Sequence, residues 1–362
     1  MRSGLAEKLL IELMEWEPSE VAVERPLLQA LSNLKYNEYQ QFSIGTLFIQ
    51  SLVKWLGQFD NSAERKIAYS FIKRKLIFFS NNQILHLVNS TFSKVINPLL
   101  VKKTALNLGI SRYKISAITT NNKFKNISRK CLYIGLSDGS RIDQLRRVSK
   151  LNNEQVIPTY DINLAKVKDL LCELHKELPN EKFDTIFLVD DFTASGTSYM
   201  RENPEGKLEG KIYKTIKNFM EVDGSLNTLI NPKEPLEIHL IFYISTEEAR
   251  DKISSLIKKM QKEFTTILIE IHVLQLIENV TKDKILSDEI EFIELSKKYI
   301  NKSIVDSHWK KAKHDKYYLG YNECSLPIVL GHNTPNNSLP LIWWINKEET
   351  FSGLFPRITR HS

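Results

Sequence analysis

The chain has 362 residues, 42% hydrophobic and 10% aromatic, enough to bury a sizeable core in one large domain or in two or three smaller ones. Lys plus Arg number 50 against 43 Asp plus Glu, a net charge of +7 and a pI near 9.0. The basic residues are spread out, so a solvated surface with a lysine surplus explains the charge without a nucleic-acid partner.

Three cysteines, Cys131, Cys172 and Cys324, show no CxxC spacing and no neighbouring His pattern. That argues against a zinc site or disulfide framework built on them and suits a reducing cytosol. The first twenty residues, MRSGLAEKLLIELMEWEPSE, mix acidic with apolar side chains and do not read as a signal peptide. No stretch approaches the roughly 20 apolar residues of a membrane span, so the expectation is a soluble, cytoplasmic protein with no membrane partner.

Residues 1 to about 110 read as helical. EYQQFSIGTLFIQSLVKWLGQF repeats apolar residues at steps of three and four, as does SAERKIAYSFIKRKLIFFS, with Ser62 a candidate cap ahead of Glu64. NNQILHLVNSTFSKVINPLL continues in the same style. Tyr36 and Tyr39 could line a pocket, but packing explains them as well. Trp16 and Trp55 read as packing residues.

Near Lys130 the pattern changes. CLYIGLSDGS is a short apolar run ending in a glycine-containing loop, a strand with its exit, and IDQLRRVS could start a helix. LNNEQVIPTYDIN is polar and irregular, a candidate mobile loop. LAKVKDLLCELHKEL is an amphipathic helix and DTIFLVDD a strand. KIYKTIKNFMEV is a helix and LEIHLIFYIS a strand. EEARDKISSLIKKMQKEF is a helix and TTILIEIHVL a strand. This alternation argues for an α/β fold, a parallel sheet covered by helices. The apolar run SLPIVLG follows, then HNTPNNSLPLIWW, in which Trp343, Trp344 or both belong to a core.

The strand ending at Asp190 and Asp191 raises a chemical question. Two neighbouring carboxylates at the carboxyl end of a buried parallel strand are costly unless ligand hydroxyls, a metal or backbone amides compensate. Ligands of open parallel sheets sit at that end. The residues that follow, Thr193, Ala194, Ser195, Gly196, Thr197 and Ser198, suit a tight turn whose N–H groups and hydroxyls could cradle a phosphate. Carboxylates for hydroxyls beside a phosphate cup fit a ribose 5-phosphate.

IFLVDDFTASGTS resembles the ribose-phosphate signature of type I phosphoribosyltransferases: four apolar residues, two acids, then a loop of Thr, Gly and Ser. Ser195, Gly196 and Ser198 stand at the family's Thr-Gly-x-Thr positions. The resemblance implies that Asp190 and Asp191 bind the ribose hydroxyls, that 193 to 198 bind the 5-phosphate, and that the second acid can serve as a general base. It further implies a pyrophosphate-contacting loop at Ser137, Asp138, Gly139, Ser140 and Arg141, although an ordinary strand-to-helix turn capped by Ser140 explains those residues too. The stretch 150 to 160 falls at the family's flexible catalytic loop by position alone.

Two features depart from ordinary members. RENPEGKLEG intervenes where a helix directly follows the phosphate loop, and the first 110 residues and the tail are additional. With GYNEC at 320 to 324 and GHNTPNN at 331 to 337, the layout is similar to the PRTase-CE type, the phosphoribosyltransferase-like proteins of bacterial conflict and antiphage systems. That implies a defence role beside a partner protein. In the tail, His332, Asn333, Asn336 and Asn337 either close over a base or pyrophosphate or form a turn bonded to its own backbone.

The expected organisation is a helical domain over 1–110, a phosphoribosyltransferase-like α/β domain over 111–345 and a tail over 346–362. The expected ligand is phosphoribosyl diphosphate or a ribonucleotide, with Mg²⁺ held mainly through ligand oxygens rather than in a protein cage. Three functions remain open: phosphoribosyl transfer, a non-catalytic nucleotide sensor acting on a partner, and a nucleic-acid-binding module. The last would rest on basic segments such as ERKIAYSFIKRK, WKKAKHDK and KKYINK, which solvated helix faces also explain. No GxxxxGK[ST] or HExxH pattern is present.

Overall fold

The computed structural model describes residues 3–42, 45–160, 164–306, 309, 315–346 and 351–357. The end of the candidate loop at 161–163, most of the basic WKKAKHDK segment and parts of the tail (347–350 and 358–362) lie outside them.

The chain begins with α1 (Ser3–Met14) and α2 (Pro18–Leu34). Ala6, Leu10 and Met14 recur every fourth residue and are buried, so they form one face of α1. The fixed φ of Pro18 suits the first position of α2. Next come α3 (Phe48–Leu56), with Phe48, Leu52, Trp55 and Leu56 all buried, and α4 (Ser62–Lys75). Asn61, not Ser62, caps α4, accepting the Glu64 N–H at 3.0 Å. The segment after it, expected to stay helical, is instead the strand β1 (Ile77–Phe79).

α5 (Asn81–Thr91) runs through a π turn at Phe92–Ile96 into α6 (Asn97–Leu108). The result is one continuous helix, Asn81–Leu108, of 28 residues. By length and composition alone it is apolar enough to cross a bilayer, which corrects the expectation that no such stretch exists. A third of its most apolar window is buried, 33%, and Ile84, Val88, Ile96 and Leu100 are among its buried residues. The run was missed because Ser90, Thr91, Ser93, Lys94 and Asn97 interrupt its apolar residues.

Two short helices, α7 (Ile115–Thr119) and α8 (Asn122–Arg129), lead into β2 (Cys131–Gly135), every residue of which is buried. α9 (Ile142–Ser149), β3 (Val156–Ile157), α10 (Leu164–Glu177) and β4 (Thr185–Thr193) follow. A small antiparallel hairpin, β5 (Arg201–Glu202) and β6 (Leu208–Glu209), precedes α11 (Lys211–Met220). The chain continues through β7 (Leu236–Thr246), α12 (Glu247–Glu263) and β8 (Ile267–Ile277). Last come α13 (Asn279–Asp288), α14 (Ile290–Tyr299) and β9 (Ile328–Leu330).

The main sheet has five parallel strands in the order β3-β2-β4-β7-β8. The fold is therefore α/β, as the alternation of strands and helices implies. From β2 the chain passes to β3 on one side and returns to β4 on the other. The strand order reverses there, and in open parallel sheets that switch point, between the carboxyl ends of β2 and β4 here, is where a ligand crevice lies. The candidate mobile loop is partly ordered structure: Val156 and Ile157 pair with Tyr133 and Ile134, and the buried Gln155 amide donates to the carbonyls of Ser128 (2.7 Å) and Cys131 (2.9 Å).

The chain divides into two compact units: Ile84–Ile277, and Met1–Gln83 together with Glu278–Ser362. This differs from the boundaries expected at 110 and 345, for a physical reason. β9 pairs in parallel with β1, not with the five-stranded sheet, so the C-terminal segment belongs with the N-terminal helices. Phe71 stacks on Phe292 at 3.7 Å, and Tyr36, Tyr39, Trp343 and Trp344 all join that core. In the other unit, Leu132, Ile134, Ile186, Leu188, Ile238 and Leu240 build one face of the sheet, covered by α10, α11 and α12 residues such as Leu170, Ile216 and Ile253.

Leu240 sits fully buried on β7 in that second core. Leu240→Ala should lower stability by about 2–5 kcal/mol, as expected for a cavity in a packed core. Chemical denaturation followed by tryptophan-independent far-UV circular dichroism measures it; a loss under about 1 kcal/mol would contradict the packing described.

Candidate functional site

β4 carries Asp190 and Asp191 beyond the end of β2, into the crevice. Asp190 is fully buried. Its Oδ1 accepts from the Ser137 hydroxyl and from the Asp191 N–H at 3.0 Å. Its Oδ2 accepts from the Tyr199 hydroxyl at 2.7 Å and lies 3.4 Å from the Lys211 ammonium. The ammonium also stands 5.0 Å over the Tyr199 ring. A buried carboxylate survives only with such partners. Even so, burial first and the Asp191 charge second push it up to about 6, against the pull of Lys211, Ser137 and Tyr199.

Asp191 is half-buried rather than enclosed, and its Oδ1 accepts the Phe192 N–H at 2.8 Å. The loop after β2 closes against it. A Cβ on Gly139 would stand 2.4 Å from Asp191 Oδ2, so only glycine permits this approach. Ser137 and Ser140 fix the loop: Ser137 Oγ accepts the Gly139 N–H at 3.2 Å, and Tyr243 Oη of β7 donates to the Ser140 carbonyl at 2.8 Å. Burial, then the charges of Asp191 and Asp190, hold the Tyr243 phenol well above its usual range, so it remains a donor. Arg141 leaves the loop at φ +46, a left-handed conformation that turns the chain into α9. Residues 137–141 and the acid pair thus form one cluster.

The turn 194–198 lies at the end of β4. Gly196 adopts φ +68, and a Cβ there would press on Ile253 Cγ1 at 3.1 Å and the Ala249 carbonyl at 3.2 Å. The turn therefore packs on the start of α12. Thr246 Oγ1 caps that helix, accepting the Ala249 N–H at 3.0 Å, and donates to the Ala194 carbonyl at 2.5 Å. Thr193, Ala194, Ser195 and Thr197 are buried, while Ser198 is exposed. Among the described residues, the N–H groups of Ser195, Gly196 and Ser198 donate to no protein acceptor. Lys252 of α12 reaches Thr197 Oγ1 at 2.9 Å. Three N–H groups without a protein acceptor beside an ammonium are a donor set whose chemistry suits an anion. No helix follows the turn: residues 197–199 continue as a turn into the β5–β6 hairpin.

His332, Asn333, Asn336 and Asn337 lie in the other compact unit. There the segment is tied to its own surroundings. The His332 carbonyl accepts from Gln41 Nε2 at 2.6 Å, and Asn333 Oδ1 accepts the Thr334 N–H at 3.0 Å. The Asn336 carbonyl accepts the Tyr321 N–H at 2.8 Å, and Asn337 Nδ2 donates to the Tyr321 carbonyl at 3.1 Å. Tyr39 Oη lies 2.9 Å from Thr334 Oγ1, which gives that tyrosine a packing and bonding role. GYNEC enters the same network: Asn337 Nδ2 also donates to Cys324 Sγ at 3.3 Å.

Four residues at the crevice carry no motif: Tyr199, Lys211, Tyr243 and Lys252. Tyr199 directly follows the turn, and the others arrive from α11, β7 and α12; the only sequence signal for them is their nearness to the turn or to strand and helix ends.

A five-stranded parallel sheet with paired acids and a glycine-containing turn at its switch point is the architecture of a phosphoribosyltransferase-like α/β protein. The family model of PRTase-CE matches residues 52–357, most of the chain, and the chain belongs to that family. The match takes in segments of both compact units, so the family's conserved extent is wider than the sheet alone. No curated protein and no solved structure gives a significant match.

The raised pKa of Asp190 makes stability depend on pH. Its ordinary value is about 3.9. Because the folded-state value is higher, ionisation of Asp190 destabilises the fold at neutral pH, and that penalty is released as pH falls through about 6 towards 4. Going from pH 7 to pH 5, the wild type should gain on the order of 1 kcal/mol more stability than Asp190→Asn. Thermal melts of both proteins at the two pH values measure the difference; an equal or larger gain in the variant would contradict the assignment.

Proposed function

We propose that the crevice binds a phosphorylated ribose of the phosphoribosyl diphosphate type and transfers or processes its phosphoribosyl group. The observation that carries this is the turn 194–198, whose open N–H groups and neighbouring Lys252 stand beside the half-exposed Asp191. The 5-phosphate belongs on the turn. The ribose hydroxyls belong on Asp191, since the oxygens of Asp190 already hold Ser137, Tyr199 and Lys211. The two acids therefore divide the labour: Asp190 organises the site and Asp191 meets the ligand. The loop 137–141, with Gly139 against Asp191 and Arg141 at its end, suits the pyrophosphate side.

Mg²⁺ fits this arrangement only as a ligand-borne ion. Asp190 has no free oxygen to give it, which leaves Asp191 as the one carboxylate of the pair able to contribute beside phosphate oxygens and water. The ion would neutralise charge on the departing pyrophosphate. The protein's own part is to orient the ribose, hold the Asp191 carboxylate beside its hydroxyls and seat the phosphate, so positioning and charge stabilisation dominate. The C1′–oxygen bond to pyrophosphate breaks, and the acceptor takes its place at C1′.

A non-catalytic nucleotide sensor is the second reading. It is favoured by the β5–β6 hairpin, which stands where a helix N-terminus would otherwise add its dipole to the phosphate turn. A setting in defence against phage, beside a partner protein, rests on the family's layout.

Calorimetric titration of phosphoribosyl diphosphate with Mg²⁺ tests the proposal. Wild type should bind, and Asp191→Asn and Lys252→Ala should each weaken binding roughly 10- to 100-fold, the value of a charged hydrogen bond. Pyrophosphate appearing in a parallel chromatographic run selects transferase over sensor. A wild type that takes up no phosphoribosyl diphosphate, but binds generic DNA with a steep salt dependence, would overturn the reading in favour of nucleic acid.

A further inference from the structure

A second group of chemically able side chains lies on the opposite face of the sheet from Asp190. In β7 and β8, His239 pairs in register with Glu270 and Ile241 with His272. Side chains alternate along a strand, so His239, Glu270 and His272 project from the same face. Three of their atoms converge. His239 Nδ1 lies 3.1 Å from His272 Nε2, and each is 3.8 Å from Glu270 Oε2.

Those separations are close to what a metal ion imposes. Donors bonded at about 2.1 Å in tetrahedral geometry stand roughly 3.3–3.5 Å apart. A shift of a few tenths of an ångström would bring all three into place. We propose that His239, His272 and Glu270 form a binding site for a divalent transition-metal ion such as Zn²⁺, with the remaining coordination positions open to water or a further ligand. Two imidazoles and one carboxylate are a donor set that suits Zn²⁺ and its first-row neighbours rather than Mg²⁺ or Ca²⁺.

The surroundings support the assignment. His239 is buried and its ring stacks on Phe187 at 5.1 Å, which restricts its rotation. Its other nitrogen, Nε2, faces Glu237 Oε2 at 4.0 Å, the position of a carboxylate that orients a ligating imidazole. The cation nearest to this group, Lys103, is engaged with Asp184 at 2.9 Å and Glu237 at 3.3 Å. Glu270 is exposed, which leaves a path for an ion to enter.

The site is separate from the crevice. His239 pairs with Phe187, three residues before Asp190 along β4. It joins the edge strand β8 to its only neighbour in the sheet, β7. An ion there would clamp the edge of the sheet, where unpaired backbone groups otherwise face outward.

Cobalt and zinc titrations of the full chain test this. Co²⁺ should bind one per chain with the visible absorption of a low-symmetry, four- or five-coordinate site, and Zn²⁺ should displace it. Glu270→Gln and His272→Gln, both at the less buried positions, should each bind Zn²⁺ at least tenfold more weakly. Zn²⁺ should raise the melting temperature of the wild type and not of the double variant, with circular dichroism confirming that the variants fold. Failure of the wild type to take up one equivalent, or equal affinity in the variants, would overturn the proposal.

Discussion

The buried carboxylate of Asp190 is the constraint around which the crevice is arranged. Taking an ionisable group out of water costs several kcal/mol unless hydrogen bonds and an opposite charge replace the lost solvation. Here the replacements come from three separate segments: Ser137 after β2, Tyr199 beyond the phosphate turn, and Lys211 at the start of α11. Each must come to one point, so the paths of the chain between them are fixed as well. The turn 194–198 is shaped by the need to carry Tyr199 back to Asp190. Its left-handed Gly196 is part of that return.

This dependence gives the two acids different characters although they are neighbours in the chain. Alternation along the strand sends Asp190 into the packed layer and Asp191 into the crevice. Asp190 is held inside by protein donors, whereas Asp191 is left half-buried. Gly139 makes the contact between the loop and Asp191 possible, and Tyr243 holds that loop from two strands away. The sheet's strand order brings these loops together, and the family to which the chain belongs is recognised by that conjunction.

Much of the sheet was legible in the sequence. Short apolar runs at 131, 185, 236 and 267, separated by helical periodicity, correspond to β2, β4, β7 and β8. The acid pair and the turn after it were legible too, because they are contiguous. What was not legible depends on pairing between distant residues. Nothing local in IFF at 77–79 distinguishes a strand from the end of a helix until Ile328–Leu330 lies beside it. The helix Asn81–Leu108 was hidden by the polar residues that interrupt its apolar ones. Asn61 outcompeted Ser62 as a cap by one residue, a difference below the resolution of composition. Lys252 meets the turn only because α12 returns to it. His239 and His272 are 33 positions apart in sequence and neighbours only through strand register.

The division of the chain also bears on how the protein emerges from the ribosome. The unit Ile84–Ile277 is one continuous stretch, whereas the other is assembled from both ends of the chain. During synthesis, at about 5–20 residues per second, the inserted stretch takes on the order of ten to forty seconds to appear. It can fold as soon as it is complete. Through that interval Trp55, Phe71 and the lone strand β1 have been made but lack Phe292, Trp343 and β9. The nascent chain therefore carries an unsatisfied apolar surface and an unpaired strand until its last residues arrive, which is the period when a chaperone would have something to hold.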